Sequence, residues 1–233
     1  MATRSAPKGT LALIGGGEWG EHHRALDRRL SESSGGADVV VLPTAAAFEH
    51  PDRVGEIAAK HFEPLGVATQ TLRVLNRRDA EDAVNVDAVA AAKFVYLADG
   101  SPMHLRSVLK SSPLYEAMLD AFRGGAVIAA SGAAATVLCD PMVDPRGGAY
   151  TVGLGFVGNL AVFPYHGTTA DHLLARSIDL KPVEAVLVGI DAETALVRDP
   201  GPVWSVAGAG TVTIYGADGA MPHRAGSEGI DLP

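Results

Sequence analysis

Short apolar segments alternate along the first part of the chain with segments whose apolar residues recur every three or four positions. Leu105, Val108 and Leu109 have the second kind of spacing, as do the stretches around Ile57 and Met118, and this spacing predicts helices. The short apolar segments are rich in β-branched residues and predict strands: "TLALI" (10–14), "ADVVVLP" (37–43), "VATQTLRVL" (67–75), "KFVYLA" (93–98) and "GAVIAA" (125–130). Alternation of strands and helices predicts an α/β domain with a mostly parallel sheet and helices on both faces.

The pattern changes after residue 147. Glycine-punctuated, β-rich sequence follows, and residues 170–179 have the spacing of one more helix. Further on, "AVLVGIDAETALVRD" and "VWSVAGAGTVTIYG" each resemble two strands joined by a turn, at 191–193 and at 208–210. We therefore expect two consecutive β-hairpins within residues 183–215, at the side of the sheet.

The chain is expected to form one domain, because neither an internal repeat nor a long linker divides it. The predicted domain spans residues 10–216. Residues 1–9 are expected to form a flexible N-terminal tail, and the Gly/Pro-rich residues 217–233 a C-terminal tail that frays.

The composition of this 233-residue chain limits the classes of partner that it can bind. Its formal net charge is −8 and it has no dense Lys/Arg run, so we expect no nucleic-acid partner. No segment approaches the roughly 20 apolar residues of a membrane-spanning helix, and the apolar run "LALI" is too short for a secretion signal, so we expect no membrane contact. The single cysteine, Cys139, excludes an intrachain disulfide and fits the cytoplasm as the location.

A glycine-rich segment, "GGGEWG" (15–20), follows the first predicted strand and matches the G-x-G-x-x-G spacing of dinucleotide-binding turns. That function also requires an acidic residue at the end of the second strand, where this chain has Pro43 and Thr44. We interpret the segment as a tight turn at the carboxyl edge of the sheet and expect no cofactor.

Among the histidines, His166 is the candidate catalytic residue. It closes the strand "LAVFPYH" at the carboxyl edge, where open α/β sheets bind ligands, and it can serve a serine as general base. His22 and His23 are adjacent, so on a helix they point about 100° apart; we expect surface positions and no metal site. Four further histidines are interpreted as surface or packing residues: His50, His61, His104 and His172.

The segment "VIAASGAAATVLCDPM" (127–142) predicts a strand that turns sharply into a helix. In many hydrolases such a turn presents a serine beside free backbone N–H groups. The small residues at this turn carry one hydroxyl, that of Ser131. Ser131 is therefore the first candidate for a nucleophile.

The order of several segments resembles peptidase family S51, which contains cyanophycinase and the α-aspartyl dipeptidase. The matching segments are "LALIGGGE", "VVVLPTAA", "FVYLADGSPMHL", "GAVIAASGAAATVLCDPM", "VGLGFVGNLAVFPYH" and "VGIDAETALV". The resemblance covers about residues 10–215. It implies the class I glutamine-amidotransferase-like fold, a flavodoxin-like three-layer sandwich, and serine-type hydrolysis of small peptides.

The chain departs from the family pattern at the nucleophile. The family's turn reads roughly G-T/S-S-A-G-A, with the second hydroxyl position as the nucleophile. A gapless match puts this position at Gly132, which has no side chain to attack a carbonyl, and puts Ser131 one residue earlier. A slip of one residue would make Ser131 the nucleophile, but it displaces the attacking group by about 3.8 Å between Cα atoms, so the turn would have to be rebuilt.

The resemblance also implies which loops bind the substrate. The family's "GGNQ"-like loop, which lends an oxyanion-hole N–H, is "DGSP" (99–102) here; Gly100 keeps its amide, whereas Pro102 has none to donate. Gly17, Ser101 and Ala133 complete the expected oxyanion and substrate loops.

The family stretch resembling "DQH" corresponds to "PYH" (164–166) here, so His166 is retained as the expected catalytic histidine. The arginines that follow this stretch in cyanophycinase are missing until Arg176. Three acids remain open as the partner of the histidine: Asp144, Asp191 and Glu193.

Two functions remain. One is an S51-fold protein whose hydrolase activity is lost or altered, chiefly through Gly132, but which keeps a ligand cleft. The other is an active serine hydrolase or exopeptidase that acts on small acidic peptides through Ser131 and His166. Both predict that one cleft is lined by Gly17, Gly100, Ser131, Gly132 and His166. We expect a small peptide or another small molecule as the ligand, and the sequence allows a homodimer.

Overall fold

The computed structural model describes residues 8–216 and 219–233. Its helices are α1 (Arg24–Ser33), α2 (Pro51–Phe62), α3 (Ala83–Ala91), α4 (Pro102–Leu109), α5 (Pro113–Gly124), α6 (Ala133–Leu138) and α7 (Asp171–Asp179). Its strands are β1 (Leu11–Ile14), β2 (Val39–Leu42), β3 (Thr69–Thr71), β4 (Phe94–Leu97), β5 (Val127–Ser131), β6 (Cys139–Asp140), β7 (Met142–Val143), β8 (Tyr150–Thr151), β9 (Val157–Gly158), β10 (Leu160–His166), β11 (Val186–Asp191), β12 (Thr194–Arg198), β13 (Val203–Gly208), β14 (Thr211–Gly216), β15 (Gly219–Arg224) and β16 (Ile230–Asp231). Short 3-10 helices lie at Glu21–His23, Thr44–Ala46, Glu63–Leu65 and Asp79–Glu81.

The central sheet has eight strands in the order β16-β13-β12-β1-β5-β4-β2-β3. Five neighbouring strands of this sheet are parallel: β1, β5, β4, β2 and β3. The strands β12, β13 and β16 extend the sheet beyond β1 with antiparallel pairing. In the middle of the sheet, Ala129 of β5 lies between Ala12 of β1 and Tyr96 of β4. The carboxyl end of β5 therefore reaches the central position at which open α/β sheets bind ligands.

Alternate residues of the central strands pack on opposite faces of the sheet. Leu11 and Leu13 of β1 join a core with residues of α3, α4, α5 and α6. Ala12 and Ile14 join a second core with residues of α1 and α2, such as Phe62. This period of two is the geometry of a strand buried on both sides. It confirms the predicted single α/β domain with helices on both faces of a mostly parallel sheet.

A second sheet has the order β10-β11-β14-β15. β10 runs parallel to β11, whereas β14 pairs antiparallel with both β11 and β15. Leu160 lies opposite Val186 at the start of β10, and His166 lies opposite Asp191 at its end. This sheet thus brings the carboxyl end of β10 beside the turn that follows β11.

The two predicted hairpins are wrong in their pairing. β11 and β12 lie in different sheets, and so do β13 and β14. The chain crosses between the sheets at 191–193 and at 208–210, where Gly208 has a φ of +107°. The hairpins that form instead pair β12 with β13 and β14 with β15. Turn residues mark where a strand ends but carry no information on its partner, which is set by burial in one sheet or the other.

The C-terminal segment does not fray as expected. β15 pairs along β14, with Met221 opposite Ile214, and β16 pairs with β13, with Ile230 opposite Trp204. Ile230 is buried against the central sheet, and its apolar contact explains the order of a Gly/Pro-rich segment. In the predicted N-terminal tail, Gly9 is buried, while residues 1–7, like 217–218, lie outside the described residues.

No helix in the described ranges is long and apolar enough to cross a membrane.

Candidate functional site

A sharp turn joins the central strand β5 to helix α6. Gly132 is the one residue between them and has φ +51° and ψ −112°, a conformation that a residue with a Cβ atom rarely adopts. Its N–H donates to the carbonyl of Ile14 on β1, which fixes the turn to the sheet at an N···O distance of 2.9 Å. Position 132 is thus at the tip of the turn, where the gapless match to the family pattern puts the nucleophile.

Ser131 points away from the tip of the turn. Its side chain is fully buried, and its hydroxyl donates to Glu18 Oε2 at 2.6 Å. The other carboxylate oxygen of Glu18 accepts the backbone N–H of Asp99 at 2.9 Å. Ser131 and Glu18 therefore connect the end of β5 to the loop after β4.

Glu18 lies in the glycine-rich turn after β1. It was not predicted as a site residue, although it belongs to the segment "IGGGE" that matches the family. Burial raises the pKa of the Glu18 carboxyl, while the hydrogen bonds from Ser131 and from the Asp99 amide oppose that rise. Gly16 and Gly17 in the same turn have φ of +106° and +70°, which is the conformational reason for glycine there.

The carboxylate of Asp99 occupies the space at the tip of the turn. A Cβ atom added to Gly132 would lie well under 3.0 Å from the carboxyl carbon and both carboxyl oxygens of Asp99. Oδ1 of Asp99 accepts the N–H of Gly100 at 2.7 Å and the N–H of Ala133 at 2.6 Å. Both residues belong to the oxyanion and substrate loops that the family resemblance implies, so a carboxylate oxygen of the protein itself already binds these two amides.

Tyr165 holds the second oxygen of this carboxylate. Its hydroxyl donates to Asp99 Oδ2, and its ring lies against Gly16, where a Cβ atom would collide with it. Burial and the hydrogen bond to Asp99 raise the pKa of the Tyr165 hydroxyl, so it stays a proton donor at neutral pH. Neither Asp99 nor Tyr165 was identified from the sequence as part of the site.

His166 contacts Asp191 and Tyr215. Its Nδ1 lies 2.9 Å from Asp191 Oδ1, and its Nε2 lies 2.7 Å from the hydroxyl of Tyr215. The ring lies over Gly189 of β11, where a Cβ atom would collide with it. Both ring nitrogens are therefore engaged within the second sheet, and the serine at 131 is not one of their partners.

The three candidate acids have different partners. Asp191 contacts His166, as described above. Asp144 forms a two-point contact with Arg146, at 3.0 Å and 2.7 Å, and this guanidinium lowers the pKa of the Asp144 carboxyl. Glu193 accepts the backbone N–H of His22 at 3.3 Å.

A cavity of about 230 Å³ opens beside Asp99. Of the predicted site residues, Gly100, Ala133 and Asp144 line it. The other seven, all within the described ranges, are not among its lining residues: Gly17, Ser101, Ser131, Gly132, His166, Asp191 and Glu193. The cavity wall comes mostly from apolar side chains, including those of Pro102, Val143, Phe163 and Leu173. Outside this cavity, the ring of His166 packs over β11 and the hydroxyl of Ser131 binds Glu18.

His23 is buried, contrary to its predicted surface position. Its side chain is fully buried beside that of Asp27 on α1, with Nδ1 4.0 Å from Asp27 Oδ2. Asp27 also binds His61, whose Nε2 is 2.8 Å away. Among the residues that the structure describes, no group of three or more His, Cys, Asp or Glu side chains is arranged to hold a metal ion.

Comparisons with known proteins agree with this architecture. The model of peptidase family S51 matches residues 11–203. Cyanophycinase from Nostoc sp. strain PCC 7120 is 26% identical over 226 residues, which is 92% of this chain and 76% of that protein. Cyanophycinase from Geminocystis herdmanii is 25% identical over 223 residues, covering 89% and 80%.

A solved structure provides the corresponding comparison of folds. The crystal structure of a peptidase from an acI-B1 Actinobacterium superimposes with a TM-score of 0.87 at 27% identity, over 97% of this chain and 98% of that one. The family model spans most of the chain. The chain belongs to peptidase family S51.

Proposed function

We propose that this chain is an S51-family protein that has lost serine-type peptidase activity and has kept its cleft as a binding site for a small molecule. The observation that carries the proposal is the position of the Asp99 carboxylate, which lies against Gly132 and accepts the amides of Gly100 and Ala133. A cytoplasmic location is part of the proposal and rests on the single cysteine of the sequence.

Serine-type hydrolysis needs a hydroxyl at the tip of the turn, a base beside it, and free donors for the oxyanion. Position 132 offers no side chain, and the hydroxyl of Ser131 is buried against Glu18. The ring nitrogens of His166 are engaged with Asp191 and Tyr215. Each of the three requirements thus meets an obstacle, which favours loss of activity over the use of Ser131.

Two departures from the family pattern are complementary in space. The family pattern has glycine where this chain has Asp99, and a hydroxyl residue where this chain has Gly132. Because a Cβ atom at 132 would collide with the Asp99 carboxyl group, the observed carboxylate position requires glycine at 132. The carboxylate then satisfies the two amides that would otherwise face a substrate oxyanion.

A serine-directed fluorophosphonate and a set of aspartyl dipeptides test this proposal. The wild-type protein is expected to show neither covalent labelling by intact-mass spectrometry nor release of amino acids, while an active serine peptidase in parallel shows both. The alternative function is a serine hydrolase that uses Ser131 and His166. Turnover by the wild-type protein that disappears in Ser131→Ala and in His166→Gln would overturn the proposal in favour of that alternative.

A further inference from the structure

We infer that the cavity beside Asp99 binds a small primary amine with an apolar body, held by its ammonium group on the Asp99 carboxylate. The inference rests on the proposed function, because it assigns a ligand class to the same cleft. It differs from the acidic peptides that the family resemblance suggests.

The charge of the cavity wall gives the first reason. Asp99 and Asp144 are the two charged residues among its lining residues, and both are acidic. Asp144 already has a cation, the guanidinium of Arg146. Arg176, the first arginine after the "PYH" stretch, is exposed on α7 and is not among the lining residues. A carboxylate ligand would therefore meet negative charge inside this cavity, whereas an ammonium group would be attracted.

The hydrogen bonds of Asp99 give the second reason. Its Oδ1 is held by two amides, which fixes the plane of the carboxylate. Its Oδ2 accepts only the hydroxyl of Tyr165 among the hydrogen bonds found in the described residues. A carboxylate oxygen can accept two hydrogen bonds, so Oδ2 can accept one more donor besides Tyr165.

The amides at the end of the cavity argue against an anion. In a peptidase of this family pattern, the N–H groups of Gly100 and Ala133 would face a developing negative charge. Here both donate to Asp99 at 2.7 Å and 2.6 Å, and an anionic oxygen would have to displace that carboxylate first. An ammonium ligand leaves both hydrogen bonds in place.

The rest of the wall suits a hydrocarbon group. Val143, Phe163 and Leu173 present apolar side chains, and Pro102 and Pro164 add ring surfaces without N–H donors. A phenyl or branched alkyl group would lose its contact with water against these residues. An arylalkyl amine combines such an apolar group with a positive charge that can pair with the Asp99 carboxylate.

The test compares three ligands of similar shape on the full chain: 2-phenylethylamine, 2-phenylethanol and 3-phenylpropionate. Their dissociation constants at pH 7.5 are measured by NMR titration. The amine is expected to bind at least about tenfold more tightly than the alcohol, since hydrogen bonds to charged groups are the stronger class. The carboxylate ligand is expected to bind more weakly than the alcohol.

Asp99→Asn is the decisive variant, because it keeps the shape of the side chain and removes its charge. In this variant the preference for the amine over the alcohol is expected to disappear. Asp120→Asn on α5 is the matched control, since Asp120 is an exposed carboxylate paired with Arg123, and it is expected to keep the wild-type preference. Thermal unfolding of both variants shows whether each one folds.

Four results would overturn the inference. One is equal binding of the three ligands, another is preference for the carboxylate ligand, and the third is an amine preference that survives in folded Asp99→Asn. The fourth is binding of the alcohol but not of the amine, which would refute the amine class and leave the proposed function standing. Peptide turnover that depends on Ser131 would refute the proposed function whatever the amine result.

Discussion

The hydroxyl of Ser131 donates a 2.6 Å hydrogen bond to Glu18, whose second oxygen accepts the backbone N–H of Asp99 at 2.9 Å. The sequence separation between Ser131 and Glu18 is 113 residues. This contact gives Ser131 a structural function: through Glu18, it helps to position the loop that carries the Asp99 carboxylate.

Ser131→Ala is therefore expected to lower stability without removing an activity. The change leaves one oxygen of a buried carboxyl without its donor, which typically costs about 1–3 kcal/mol in the free energy of unfolding. Urea denaturation measures this loss. Ser33→Ala removes an exposed hydroxyl that bonds a helix carbonyl on α1, and it is expected to change stability by less than about 0.5 kcal/mol. A Ser131→Ala protein as stable as wild type would contradict the structural function.

Glu18→Gln is expected to gain stability relative to wild type as the pH rises. Burial raises the pKa of Glu18 in the folded state above its unfolded value, so the folded protein binds the proton more tightly. This contribution is fully present below the unfolded pKa of about 4.3 and is lost as the pH rises through the folded pKa. Glutamine removes that dependence and keeps an oxygen acceptor.

The measurement is the difference in unfolding free energy between Glu18→Gln and wild type, taken at pH 4 and at pH 7.5. The difference should move in favour of the glutamine variant at the higher pH. Glu32→Gln changes an exposed carboxyl on α1 and serves as the control, with a smaller change expected. A difference that moves in the opposite direction would show that the carboxylate form of Glu18 is favoured by folding.

His23 is expected to make the protein less stable in mild acid. Burial lowers the pKa of its imidazole, although the nearby Asp27 opposes this. The unfolded chain then binds more protons below the unfolded pKa of about 6.5, so stability falls as the pH decreases through that value, by up to about 1.4 kcal/mol per pH unit.

His23→Gln should reduce the loss of stability between pH 7.5 and pH 5.5, measured by urea denaturation at each pH. The comparison of slopes is informative even if the variant is less stable at both values. His22→Gln changes the adjacent, exposed imidazole and is expected to keep the wild-type slope. Equal slopes for the two variants would exclude the buried imidazole as the cause.

Gly132→Ser alone is not expected to restore a reactive serine. Gly132 stands where the family pattern has a hydroxyl residue, but the Asp99 carboxyl group lies where the new Cβ atom would be. The collision and the positive φ of position 132 are each expected to lower the free energy of unfolding by about 1–3 kcal/mol.

Asp99→Gly combined with Gly132→Ser removes the collision and frees the amides of Gly100 and Ala133. The double variant is expected to be more stable than Gly132→Ser and to react slowly with a fluorophosphonate, since His166 is still engaged with Asp191 and Tyr215. Intact-mass spectrometry measures the labelling, and unfolding of all four proteins gives the coupling between the two positions. Additive effects on stability would mean that Asp99 does not block residue 132.

The central strands could be predicted from the sequence because segments such as "VVVL" (39–42) and "VIAAS" (127–131) are buried on both faces and are continuously apolar. The pairing of the strands after residue 183 could not be predicted, because the same turn residues are found whether the two strands they join lie in one sheet or in two. A turn joins β11 to β12, yet β11 pairs with β10 and β14, whereas β12 pairs with β1 and β13.

The site was harder to predict than the fold. The turn at 131–133 was found because small residues at a strand–helix junction are a local pattern. Glu18 and Asp99 were missed because their importance comes from contacts over 113 and 34 residues. Both lie in segments that match the family pattern, but the sequence does not show which side chains they contact. His23 was misplaced for a related reason: its neighbours in "EHHR" are polar, and the short 3-10 helix turns this one side chain inward.

The collision between Asp99 and a side chain at 132 also constrains the order in which such a protein can evolve. An ancestor with the family pattern would carry a hydroxyl residue at 132 and glycine at 99. Gaining the aspartate first would put a carboxyl group onto that residue's Cβ atom, in a buried turn fixed to β1. Losing the hydroxyl residue first leaves a folded protein with two unpaired amides facing an open cavity, where water can bond them. If the proposed function is right, the change to glycine at 132 therefore came before the change to aspartate at 99.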